Sequence, residues 1–274
     1  MRVSVQQPIA ILDSGVGGLT VVSEIMRQLP KEQVVYFGDT ARAPYGPRSP
    51  SEVLFFTKQI VDFLLLYRPK MVVLACNTAT AAALEHLRAC ISVPVVGVIK
   101  PGARAAIKLS RTRSVGVIGT EGTIKSGAYV QALHDISPDI QIVSLACPSF
   151  VPLVEEGRYQ SAEAKKTVLE TLAPLAGHDM DCLILGCTHY PFLSGYISEC
   201  MGEKVQLINS ADETAREISA ILYSNGLQNR SSCIPDPLFF CSGSPVTFRT
   251  IAEAWLNRPV TVTQVAWPSI IQVG

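Results

Sequence analysis

The chain has 274 residues, 48% of them hydrophobic and 17% charged, enough apolar surface to offset chain entropy and to exclude a disordered segment. Its 23 basic and 23 acidic residues cancel and are scattered, so no basic surface is offered to nucleic acid or to an anionic membrane. Length allows two packed domains of ordinary size or one large one.

At the N-terminus, MRVSVQQPIAIL lacks the long apolar core and cleavage site of a secretory signal. The longest apolar runs, MVVLAC and FLLLY, fall far short of a membrane span. A cytoplasmic protein is expected, with its eight irregularly spaced cysteines reduced. No Cys or His pairs have zinc spacing, so no metal is expected.

Apolar runs predict strands at 9–12, 34–37, 71–75, 93–98, 115–118, 140–145, 182–186 and 205–208. Between them, 19–29, 52–67, 162–175 and 211–223 carry apolar stripes at helical spacing. Continuous apolar strands separated by helices predict an α/β fold of doubly wound parallel sheets. The chain also echoes itself. IAILDSGVGGLT (9–20) resembles VGVIGTEGTIKS (115–126), and VVLACNT (72–78) resembles LILGCTH (183–189). Two pairs in the same order at nearly the same offset predict two similar α/β domains facing each other across a central cleft. The expected division is 1–98 plus 209–274 for the first and 99–208 for the second. Joints are expected near 97–103 and 207–213.

Ligands of open parallel sheets sit beyond the carboxyl ends of the strands. Asp13, Cys76, Thr120 and Cys187 each follow a predicted strand. The turn DSGVGG lacks the GxGxxG pattern of dinucleotide sites, and backbone N–H groups binding a small carboxylate fit it better. Asp13 itself could orient an amino group or accept a proton, or it could cap the following helix.

Cys76 and Cys187 both stand where a helix is expected to begin, a position that lowers a thiol's pKa from about 8.5. His189 could act as acid–base partner of Cys187. A single buried cysteine is ordinarily a small core hydrophobe, and Cys90, Cys147, Cys182, Cys200, Cys233 and Cys241 are read that way. The matched setting of Cys76 and Cys187 calls for another reading. Two thiols on opposite walls suit inversion of a carbon stereocentre, one removing a proton and the other returning one to the opposite face. Neighbouring threonine and asparagine would hold a substrate carboxylate without adding charge.

ILDSGVGGLTV, YFGDTARAPYGPRS, LACNTATA, GVIGTEGTIKSGAY, PLVEEG and LGCTHYPFL, in that order, resemble the glutamate racemases of the aspartate/glutamate racemase family. The likeness extends to FFCSGSPVTFRTIAEAWL near residue 256. It implies a cofactor-independent enzyme that makes D-glutamate for peptidoglycan, with glutamate as its small-molecule partner; a homodimer is compatible with it. It also implies that Cys76 and Cys187 are the two acid–base catalysts, with D-to-L turnover beginning at Cys76. Glu155 and His189 would assist the second thiol and Asp13 the first. Asp13, Ser14, Tyr45, Gly46, Asn77, Thr78, Thr188 and His189 would line the glutamate site. Lys100 receives no role.

Other readings remain open at this level. An aspartate racemase of the same superfamily would carry Glu after the second CT, where this chain has His189. A two-lobed amino-acid-binding protein would have no use for both thiols. A thiol hydrolase using Cys187 and His189 leaves Cys76 unexplained. Pyridoxal phosphate on Lys100 or Lys125 would leave the paired cysteines without purpose.

Overall fold

The alternating apolar runs and amphipathic stripes form two parallel sheets in a computed structural model that describes residues 4–267. The strands are β1 Ile9–Asp13, β2 Val34–Gly38, β3 Met71–Leu74, β4 Val95–Gly97 and β5 Ser114–Gly119. They continue with β6 Gln141–Ala146, β7 Cys182–Gly186, β8 Gln206–Ile208, β9 Leu238–Cys241 and β10 Val262–Gln264. One sheet has the order β10-β9-β2-β1-β3-β4 and the other β6-β5-β7-β8.

The sequence echo is a repeat of topology. The series β2-β1-β3-β4 and β6-β5-β7-β8 have the same connectivity. Register repeats as well: Leu12 of β1 pairs with Leu74 of β3, and Ile118 of β5 with Leu185 of β7. Cys76 lies two residues beyond Leu74, and Cys187 two beyond Leu185. The two thiols therefore occupy equivalent sites.

Both central strands of the first sheet are buried on both faces, which explains their unbroken apolar sequences. Ile9, Ile11 and Val73 pack beneath helices Leu19–Gln28 and Ser210–Ser224. Ala10, Leu12, Val72 and Leu74 face helices Pro50–Leu65 and Asn77–Cys90 on the other side. In the second sheet Leu183 and Leu185 pack on helices Phe150–Glu155 and Ala162–Leu172, and Val115, Val117 and Ile184 on Ile99–Leu109 and Ala128–His134. Each fully buried aliphatic side chain contributes about 1.5–3 kcal/mol.

After β4 the chain enters the second sheet through helix Ile99–Leu109, and after β8 it returns through helix Ser210–Ser224, which packs on both Ile99–Leu109 and Leu19–Gln28. β9 and β10, absent from the sequence-based reading, then extend the first sheet beyond β2. They are short, and β10 is a half-exposed edge strand with no apolar run to mark it. β6, read as a buried apolar run, is instead a half-exposed edge. Lys70 ties the return segment to β3: fully buried, its Nζ donates to Val5 O (2.6 Å) and Leu227 O (2.8 Å) and pairs with Glu32. Among the described residues no helix is long and apolar enough to cross a membrane.

Candidate active site

The loops after β1, β2, β3, β5 and β7, with Val151 of the helix after β6, border a cleft between the two sheets. Ser14, Pro44, Tyr45, Gly46, Cys76, Asn77 and Thr78 line it from the first sheet's loops. Thr120, Val151, Gly186, Cys187, Thr188 and His189 line it from the second. The two walls are joined directly. Thr78 Oγ1 lies 2.9 Å from Thr120 Oγ1 and 3.2 Å from Thr123 Oγ1, and Gly122 N–H donates to Gly46 O at 2.9 Å.

Cys76 is the N-cap of helix Asn77–Cys90, its sulfur accepting the Ala79 N–H at 3.4 Å. The thiol in turn donates to Ser14 Oγ at 3.7 Å. A helix N-terminus favours thiolate, which led to the expectation of a lowered pKa, but burial wins. The Cys76 thiol is pushed up to about 12 by burial and then by the Asp13 carboxylate, against which the Ala79 N–H and Ser14 hydroxyl work. In this arrangement burial holds Cys76 as the neutral thiol.

Cys187 differs from its counterpart. It leads into the 3₁₀ turn Tyr190–Leu193 rather than the expected α-helix, so no macrodipole of useful length points at its sulfur. His189 takes that place: Nδ1 lies 3.6 Å from Cys187 Sγ, and Nε2 lies 2.6 Å from Glu155 Oε1. Burial disfavours the imidazolium, but hydrogen bonds to Cys187 and Glu155 outweigh it and raise the His189 pKa well above the usual range. Burial acts to raise Glu155, and its bonds to His189 and the Val16 N–H bring it below the usual carboxylate value. The His189 side chain is 3% exposed and that of Glu155 27%, so the row Cys187–His189–Glu155 runs from the cleft towards water.

Asp13 is wholly buried behind the cleft. Its Oδ1 accepts the Gly15 N–H at 3.0 Å and its Oδ2 the Thr188 hydroxyl at 3.2 Å, from the opposite wall. Burial raises its pKa, partly offset by His189 and by N–H groups of the turn. It does not cap the following helix, whose N-cap is Gly18. The glycine-rich turn also departs from expectation, because its N–H groups serve the protein's own carboxylates, Gly15 bonding Asp13 and Val16 bonding Glu155. Glycine is needed there for close approach: a Cβ on Gly15 would lie 2.6 Å from Glu155 Oε1, and one on Gly17 2.7 Å from His189 Nδ1.

Tyr45 is also committed. Its hydroxyl donates to Asp39, a buried carboxylate that accepts from Arg42 Nε (2.7 Å), Ser242 Oγ (2.7 Å) and Trp267 Nε1 (3.1 Å). Tyr45 and Gly46 thus border the cleft from a braced loop, which leads through the Ser49–Glu52 capping box into helix Pro50–Leu65. Of the residues picked out from the sequence, only Asp13 and Glu155 stand behind the cleft wall. Pro44, Val151 and Gly186 line the cleft and were not among them, and Thr120, noted only for following a predicted strand, lines it as well. Thr120 had a signal, since it aligns with Ser14 in the repeat; the others had none. Lys100 and Lys125 are exposed, and neither lines the cleft.

A family profile described as Asp/Glu/Hydantoin racemase matches residues 11–218. A glutamate racemase of Oceanobacillus iheyensis is 57% identical over 246 residues, 89% of this chain and 90% of that one. The crystal structure of a glutamate racemase isoform from Bacillus anthracis superposes with a TM-score of 0.93 at 48% identity, covering 96% of this chain and 98% of that one. A glutamate racemase from Francisella tularensis, solved in complex with D-glutamate, has a TM-score of 0.89 at 33% identity, covering 96% and 98%.

Proposed function

The chain belongs to the Asp/Glu/hydantoin racemase family and acts on glutamate, and from that premise we propose that Cys76 and Cys187 interconvert its enantiomers as opposed acid and base. The observation that carries the reading is the equivalence of the two thiols: same register in two repeated sheets, one cleft between them. The two sheets with their helices serve as two domains, 1–98 with 209–274 and 99–208.

The chemistry derives from the site. As thiolate, Cys187 takes the α-proton of L-glutamate, and the electron pair delocalises into the adjacent carboxylate. Cys76, a thiol because it is buried beside Asp13, delivers its proton to the opposite face and closes the D-enantiomer. D-to-L turnover begins at Cys76 and reverses each step. A single turnover leaves the sulfur protons exchanged, and the enzyme must reset them. His189 and Glu155 are placed to pass the proton of Cys187 towards water, and Asp13 to assist Cys76. Asn77 and Thr78 hold carboxylate oxygens as neutral donors, and Ser14, Tyr45, Gly46, His189 and Thr188, whose hydroxyl is given to Asp13, complete the glutamate site. D-glutamate made this way supplies peptidoglycan in the cytoplasm, a compartment that suits eight free cysteines.

Racemisation in heavy water, started from one enantiomer, tests the proposal. The delivering thiol exchanges with solvent while the site is open, so product should carry deuterium at Cα from the first turnover. Recovered substrate should gain little label early. Product that retains the original hydrogen in quantity would point to a single base moving between faces and overturn the two-thiol reading.

A further inference from the structure

Resting on Asn77 as a carboxylate donor in that site, we infer that Tyr129 is the positioning residue that fixes which end of the Asn77 amide faces the substrate. Asn77 is the first residue of helix Asn77–Cys90, next to Cys76, and is 2% exposed. Its Oδ1 accepts a hydrogen bond of 2.8 Å from the hydroxyl of Tyr129, which belongs to helix Ala128–His134 in the other half of the molecule. Its Nδ2 is buried at the cleft without a partner. A buried amide donor left unpaired is costly, and proteins rarely leave one without a purpose. With Oδ1 committed to Tyr129, the group left for the cleft is the N–H₂ end, the end that binds a carboxylate. A turned amide would present Oδ1 and repel it.

The setting of Tyr129 makes the constraint firm. The ring is buried, and its Cε2 stands 3.0 Å from where a Cβ on Gly186 would lie, directly before Cys187. Its hydroxyl lies 3.2 Å from a Cβ placed on Gly102, a position equally close to Ser210. Gly102 and Ser210 belong to the two connections between the halves. The Tyr129 hydroxyl therefore sits where both connections meet, and the Asn77 amide is set only when the halves are assembled around it.

A double-mutant cycle with Tyr129→Phe and Asn77→Ala, read as kcat and KM for D-glutamate by circular dichroism, tests the inference. Tyr129→Phe keeps the ring and frees the amide to turn. KM should rise about fivefold, the size of one neutral hydrogen bond, with kcat changed less than about twofold. In the Asn77→Ala background the same substitution should do nothing further. Asn77→Asp, which keeps the acceptor for Tyr129 and puts an oxygen towards the substrate, should raise KM more than Tyr129→Phe. An equal effect of Tyr129→Phe with and without Asn77 would reduce Tyr129 to packing and overturn the inference. An unchanged KM in Asn77→Ala would instead remove Asn77 from carboxylate binding, and the role of Tyr129 with it.

Discussion

Replacing Glu155 with Gln keeps the side chain's shape and removes the charge from its 2.6 Å bond to His189. A hydrogen bond to a charged partner contributes about 1.5–3 kcal/mol. The 27% exposure of the Glu155 side chain places the expected loss at the lower end of that range. At 1.36 kcal/mol per pKa unit, His189 should titrate about one unit lower in the variant. In the native protein His189 is raised above 6.5, because bonds to Cys187 and Glu155 outweigh burial. Stabilisation from its imidazolium is thus complete below about 6.5 and fades as pH rises through the raised folded value. Glu155 is lowered from 4.5, its bond to His189 outweighing burial, so its contribution is present above 4.5 and fades as pH falls through the folded value. The stability lost in Glu155→Gln should therefore be greatest between about pH 4.5 and 6.5 and shrink towards both extremes. Urea unfolding across that range measures the loss. NMR titration of the imidazoles, with His189→Asn to identify the resonance among the four histidines, measures the shift. L-to-D turnover, for which Cys187 is the proposed base, should fall with the protonated fraction of His189. An unmoved His189 titration, or a stability loss equal at every pH, would refute the coupling.

Cys76→Ala and Cys187→Ala should each lose about 10²–10⁴-fold in turnover while still binding glutamate. The exposed Cys90 and Cys233 should tolerate the same change, and near-normal turnover in either of the first pair would remove that thiol from the reaction. Asp13→Asn should slow D-to-L turnover more than L-to-D, by about tenfold or more, since an amide cannot take up the Cys76 proton. Unchanged rates in both directions would leave Asp13 as no more than the acceptor of the Gly15 and Thr188 hydrogen bonds. Lys70→Met, which strands buried Glu32, should cost about 3–5 kcal/mol in urea unfolding, and the double variant Lys70→Met/Glu32→Leu should recover part of it. A single-variant loss below about 1 kcal/mol would show that the pair does not hold the return segment.

Much of this architecture is legible in the amino-acid sequence because it arises locally. Strands buried on both faces must be continuously apolar, as in IAILD and CLILG, and helices over a sheet must carry a stripe at helical spacing. The repeat of ILDSG and LACNT in VIGTE and LGCTH marks the matched loops, and with them Cys76 and Cys187, before any coordinate is known. What the sequence could not decide depends on partners far along the chain. Strand β9 is a run of only four apolar residues and β10 is too short and too polar to announce itself; β9 exists because β2 offers it an edge, and β10 because β9 does. The helix cap on Cys76 is local and argues for thiolate; burial and Asp13, both set by packing, reverse it. Turn N–H groups that look free to hold a ligand are taken by Asp13 and by Glu155, the latter arriving from the other half. The orientation of the Asn77 amide depends on Tyr129, 52 residues away. Local sequence sets which atoms are available at the cleft, but hydrogen bonding and burial across the two halves set their charge and direction, and those terms exist only once the halves meet.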